Sequence, residues 1–151
     1  KQEKLILKGV VAEDTPVRYF NHFYNPKTQE GLYFGENAVA WSQDQSDAET
    51  MDYSESTILY NYRHGNKQRA YQGIGHIIHL VQDMTVPAHT RSDPHGDGGP
   101  FEDWLAHNNP DPYQADFIAV SSIPGIMKKM ARYSHDNFFS EDTINKNKLE
   151  Q

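Results

Sequence analysis

A chain of 151 residues is the size of one domain with a single hydrophobic core. Its 36% hydrophobic content includes no apolar run near the roughly 18 residues of a membrane span, and 12% aromatic residues argue against disorder. A formal charge of −7 disfavours attraction to a polyanion, and eight His with no Cys exclude a disulfide framework and confine any transition metal to nitrogen and oxygen ligands.

Residues 1–37 read as irregular, because Gly9, Pro16, Pro26, Gly31 and Gly35 break any period, although Leu5–Leu7 could equally end a helix. Between Ala38 and His64, Ile58, Leu59 and Tyr62 fall at helical spacing; Ser46 or Asp47 is placed to cap that helix, and Gly65-Asn66 to end it. Lys67 to Met84 is the clearest helix, with Ala70, Ile74, Ile77, Ile78 and Val81 at 3.6-residue spacing. Gly73 and Gly75 weaken helix propensity in its middle, which points to close packing against a neighbour. Pro87 disfavours helix at Val86 and ends the element near Met84 or Thr85.

The Gly/Pro/Asp-rich stretch from Ser92 to Pro100 reads as a loop, with Pro100 opening a short helix through Phe101, Glu102, Trp104 and Leu105. Turn material near Asn109–Pro112 precedes a helix from about Ile123 to His135, with Ile126, Met127, Met130 and Tyr133 expected to face inward. Ser140-Glu141-Asp142-Thr143 resembles another helix start. The expected fold is all-α, one multi-helix domain with long irregular loops.

His79 and Asp83 are one helical turn apart and offer an imidazole and a carboxylate to the same point. Alone, such a pair is most often a surface hydrogen bond. Its neighbours strengthen it: His89 follows the proline break, His95 sits in the glycine-rich loop, and Glu102 lies on the first turn of the short helix. Upstream stand Glu13-Asp14 and Asn21-His22-Phe23-Tyr24-Asn25-Pro26. His76, three residues before His79, reads as structural or as a support for a ligand; His64, His107 and His135 read as exposed helix-end residues.

This ordered set resembles the bacterial zinc-dependent phospholipase C family, which shares its fold and metal centre with the fungal single-strand-specific zinc nucleases. The resemblance runs from Asp14 to Trp104 and keeps seven candidate ligands in order. It implies one zinc on Asp14, His22, His79 and Asp83, and a second on His89, His95 and Glu102. In the family a third zinc shares the carboxylate matching Asp83 and takes an N-terminal Trp and a nearby His. This chain begins with Lys1 and has no His before His22, so a third ion would need ligands outside it.

Family members are longer at both ends, so the expectation is a fragment, residues 1–151, of a metal-dependent phosphoesterase domain. His95 and Glu102 are seven residues apart where the family has a tighter pair, and Thr15 and Tyr19 replace the family's headgroup-reading Tyr and Phe.

The resemblance implies a zinc-dependent hydrolase of phosphodiesters, acting on a phospholipid headgroup in contact with a membrane surface. Asp14 would be a plain ligand, or would also orient and deprotonate the attacking water. A single-strand-specific nuclease or another phosphoesterase, and a non-catalytic zinc-stabilised module, are the alternatives. The charge and the lack of a Lys/Arg cluster favour lipid over nucleic acid. An extracellular or periplasmic location is implied by the family alone.

Overall fold

The computed structural model describes residues 1–46, 51–95, 99–108 and 121–140, the side chains of 100–102 excepted. Among them every regular element is helical: α1 (Gln2–Glu13), a 3-10 turn (Arg18–Asn21), α2 (Ala38–Trp41), α3 (Glu55–Arg63), α4 (Lys67–Asp83), α5 (Pro87–Thr90), α6 (Pro100–His107) and α7 (Ile123–Asn137). The all-α expectation is met in one helical domain.

α4 is the organising element. It buries Ala70, Ile77 and Leu80, and Met84 just beyond its end, against Tyr24, Ala38, Val39, Trp41, Met127 and Ala131. Full burial of a side chain such as Leu80 stabilises the fold by about 1.5–3 kcal/mol. The inward face is rotated from the expected stripe: Ile78 is exposed, and Gly73, His76 and Leu80 point inward with Ile77. Val86 is extended (φ −88°, ψ 120°) as a residue before proline must be, and Pro87 opens α5.

α1 corrects the irregular reading of residues 1–37. Gly9, the residue that masked the helix, is where α1 crosses α4. A Cβ at Gly9 would lie 1.9 Å from the Gln72 carbonyl oxygen, and one at Gly75 would lie 2.0 Å from that of Ile6. The two backbones meet directly, which outweighs the loss of about 1 kcal/mol that a mid-helix glycine causes. Gly73 similarly makes room for Ile58 of α3.

α3 ends before Gly65 as expected but starts at Glu55, well after Ser46; Asp47, the other expected cap, lies outside the described residues. α6 begins at Pro100 as expected. In α7, Met127 is buried but Tyr133 is exposed, and Ala131, Ser134 and His135 turn inward. The cause is polar anchoring: Ser134 Oγ donates to the Thr85 carbonyl (3.1 Å), while Arg91 donates to the carbonyls of His135 and Phe138. The expected turn at 109–112 and the helix start beyond Ser140 lie outside the described residues.

Candidate metal centre

The end of α4 supplies His79 and Asp83, and the proline break sends α5 back across it so that His89 faces Asp83. Backbone bonds tie the 22–24 segment to this turn: Tyr24 N–H donates to the His89 carbonyl (3.0 Å), and Ala38 N–H to the Phe23 carbonyl (2.9 Å). Asp14 closes the C-terminus of α1. Asp14, His22, His79, Asp83, His89 and His95 all line one cavity of about 630 Å³.

Asp83 Oδ2 is the focus. It lies 3.2 Å from His22 Nδ1, 3.4 Å from His79 Nε2 and 3.8 Å from His89 Nδ1. Only the shortest is near hydrogen-bond length. Two atoms bound to one tetrahedral ion at about 2.0–2.1 Å stand roughly 3.3 Å apart, so the two shorter spacings suit His22 Nδ1 and His79 Nε2 sharing an ion with Asp83. Two overlapping sets, Asp14–His22–His79 and His22–Asp83–His89, each have one ligand atom per residue within 4.8 Å of the others. His22 belongs to both and is almost fully buried, with Nδ1 toward Asp83 (3.2 Å) and Nε2 toward Glu13 (3.6 Å). Buried imidazole nitrogens and a carboxylate gathered at these spacings are a donor set that fits a divalent cation.

The supporting bonds prepare two of the imidazoles. His79 Nδ1 lies 3.0 Å from the Val10 carbonyl oxygen, and His89 Nδ1 lies 3.0 Å from that of His22. A carbonyl can only accept, so Nδ1 carries the proton in each ring and Nε2 holds the lone pair. The pKa of His79 is lowered, by burial first and then by repulsion from His22, against the opposing pull of Asp14 and Glu13. That keeps it a neutral ligand at neutral pH. Phe23 stacks on His89 with centroids 4.6 Å apart and planes within 6°, holding the ring's tilt.

The structure pairs His89 with Asp83 and His22, while the His95 ring stands 4.7 Å from that of His89. Glu102 is on α6, and its side chain lies outside the described residues. His64 and His107 sit exposed at helix ends as expected, whereas His135 is buried. Aromatic residues rim the cavity: Tyr19 and Tyr33 are exposed, and Phe20 packs between Tyr19 and Phe34 with its ring tilted to both. Phe23, Tyr24 and Trp41 belong to the interior.

Sequence reasoning gave Glu13 no role, yet it is the most heavily engaged carboxylate of the described residues. Fully buried, it accepts from Arg18 Nε (2.7 Å, Oε2), Trp41 Nε1 (2.9 Å, Oε1) and His76 Nδ1, with His22 Nε2 at 3.6 Å. Burial alone would raise its pKa; bonds from His22, His76 and Arg18 together with the Arg18 charge overcome that and hold it well below the usual carboxylate range. His76 has the supporting role its spacing suggested, stacked on Tyr53 at 3.9 Å. No sequence signal marks Glu13, because its partners lie up to 63 residues away.

These features define a helical protein with a His/Asp cluster able to hold a metal ion. Set against known proteins, the chain matches no protein-family model and no curated protein.

Proposed function

We propose that the protein is a zinc-dependent phosphodiester hydrolase of the phospholipase C type, acting on a phospholipid headgroup. The observation that carries the reading is the convergence of His22 Nδ1 and His79 Nε2 on Asp83 Oδ2, with the His89 ring beside them, in an open cavity. His22, His79, Asp83 and Asp14 would hold zinc, with His89 and His95 toward a second ion. A divalent ion held there would supply Lewis-acid chemistry, lowering the pKa of a bound water and offsetting phosphate charge.

The chain's own residues do the rest. Asp14 is exposed at the cavity wall, so its carboxylate reaches solvent, orients a water and takes its proton. His79 and His89, with Nδ1 fixed as donors, keep their Nε2 atoms aimed for binding. The rim of Tyr19, Phe20 and Tyr33 gives an apolar border for the uncharged part of a lipid substrate. The net charge of −7 favours lipid over a polynucleotide, for which the same rim would be a stacking platform.

The test is a side-by-side assay on dispersed phosphatidylcholine and single-stranded DNA, before and after chelation. Hydrolysis of the lipid, abolished by chelator and restored by zinc, is expected. Chelator-resistant hydrolysis removes the metal mechanism, and activity on DNA alone replaces the lipid substrate with nucleic acid.

A further inference from the structure

His22 lies between two carboxylates, one at each nitrogen of its ring: Asp83 Oδ2 is 3.2 Å from Nδ1, and Glu13 Oε1 is 3.6 Å from Nε2. We propose that Glu13 is a positioning residue for the metal centre, holding the His22 proton on Nε2 so that His22 binds the ion through Nδ1. The inference rests on the metal part of the proposed function and is independent of the substrate.

Proton counting is the first argument. An ionised carboxylate oxygen only accepts, and a neutral imidazole has one N–H and one lone pair. With a single proton, the buried ring of His22 would set a lone pair against one of its two carboxylates. A cation between that nitrogen and the carboxylate it faces removes the conflict and leaves the proton for the other side.

Access decides which side takes the ion. Asp83, His22 and His79 line the open cavity of about 630 Å³, and Glu13 is not among its described lining residues. Glu13 is fully buried, and its oxygens already accept from Trp41 Nε1 (2.9 Å), Arg18 Nε (2.7 Å) and His76 Nδ1. An ion on that side would displace donors in a closed interior, whereas an ion at Nδ1 is reached from solvent.

The third argument is how firmly Glu13 is held. At 3.6 Å its contact with Nε2 is longer than a hydrogen bond, so it acts on the N–H through charge, which weakens only as the inverse of distance. Arg18 keeps that charge in place, being itself tied to Gln45 Oε1 (2.9 Å) and the Met51 carbonyl (3.1 Å). A carboxylate behind a ligand imidazole fixes its tautomer and raises its basicity. His22 is the ring shared by both candidate ligand sets. It would therefore bind through the nitrogen opposite to that of His79 and His89, whose Nδ1 atoms face carbonyl oxygens at 3.0 Å.

Nitrogen-15 NMR of the histidine rings in the full chain loaded with cadmium-113 reads the bound nitrogen of each ring. Cadmium coupling at Nδ1 and a proton on Nε2 are expected for His22, and the reverse for His79 and His89. Coupling at His22 Nε2, or a proton on its Nδ1, would overturn the proposal. Uptake of neither cadmium nor zinc would instead remove the metal reading, and this proposal with it.

The double variant Glu13→Gln with Arg18→Met separates positioning from stability. Its urea stability should recover toward wild type, while its zinc affinity, by competition with a chromogenic chelator, stays about 10–100-fold weaker. Its His22 ring signals should show both tautomers. Affinity that recovers together with stability would make Glu13 structural only and overturn the proposal. Should the double variant fail to fold, the wild-type cadmium spectrum decides the question by itself.

Discussion

Replacing Glu13 by Gln keeps shape and volume and removes only the charge. The carboxylate is fully buried and Arg18 almost so, with 2.7 Å between Nε and Oε2. In Glu13→Gln the amide can still accept from Trp41, but an NH2 group then faces Arg18 Nε and His76 Nδ1, so donors meet donors. Removing one partner of a buried pair costs about 3–5 kcal/mol, because the remaining charge is left uncompensated. That is a large share of the roughly 5–15 kcal/mol typical of a whole domain.

Urea unfolding followed by circular dichroism measures the loss. The double variant Glu13→Gln with Arg18→Met should recover much of it, since an apolar replacement of the pair is often neutral. The sign with pH follows from the lowered pKa of Glu13. Its contribution is complete above the ordinary carboxylate value of 4.5 and declines as pH falls below that toward the folded-state value. The gap between wild type and Glu13→Gln should therefore narrow in acid. A single-variant cost below about 1 kcal/mol, or simple additivity in the double variant, would refute the assignment of a strongly coupled buried pair.

Two further outcomes follow from the packing and the cluster. Gly75→Ala, which in an open helix would gain about 1 kcal/mol, should instead lower stability by about 1–3 kcal/mol, read as a drop in melting temperature, because its Cβ meets the Ile6 carbonyl; a stabilised variant would disprove the backbone contact. Asp83→Asn should weaken zinc binding by more than the roughly 10–100-fold typical of residues that only support ligands, measured by competition with a chromogenic chelator. Unchanged affinity would take Asp83 out of the centre.

The sequence made some of this fold visible and concealed the rest for definable reasons. α4 was readable because its apolar spacing is regular and Pro87 dictates its end. The pairing of His79 with Asp83 needed only helical geometry. α1 was hidden because it packs through Gly9, the residue that a propensity reading treats as a break. Tyr133 and His135 exchanged places because Ser134 and Arg91 anchor the end of α7 through backbone carbonyls, which no side-chain pattern reports. Asp14 and His22 carried no local signal of their own. They came in through the resemblance, and the structure then set them beside His79. Glu13 was present in the motif, but its partners assemble only in three dimensions.

The Gly9–Gly75 crossing also sets a tolerance for the His/Asp cluster several residues away. α1 presents the Val10 carbonyl that orients His79 and ends at Glu13 and Asp14. Sliding one residue along a helix is a displacement of about 1.5 Å, and about 1 Å of misplacement can cost 100-fold in rate. A bulkier contact, cushioned by flexible side chains, would let α1 drift by such amounts. Two glycines in direct backbone contact act instead as a mechanical stop, so the alignment of the cluster is calibrated at a place that holds no ligand.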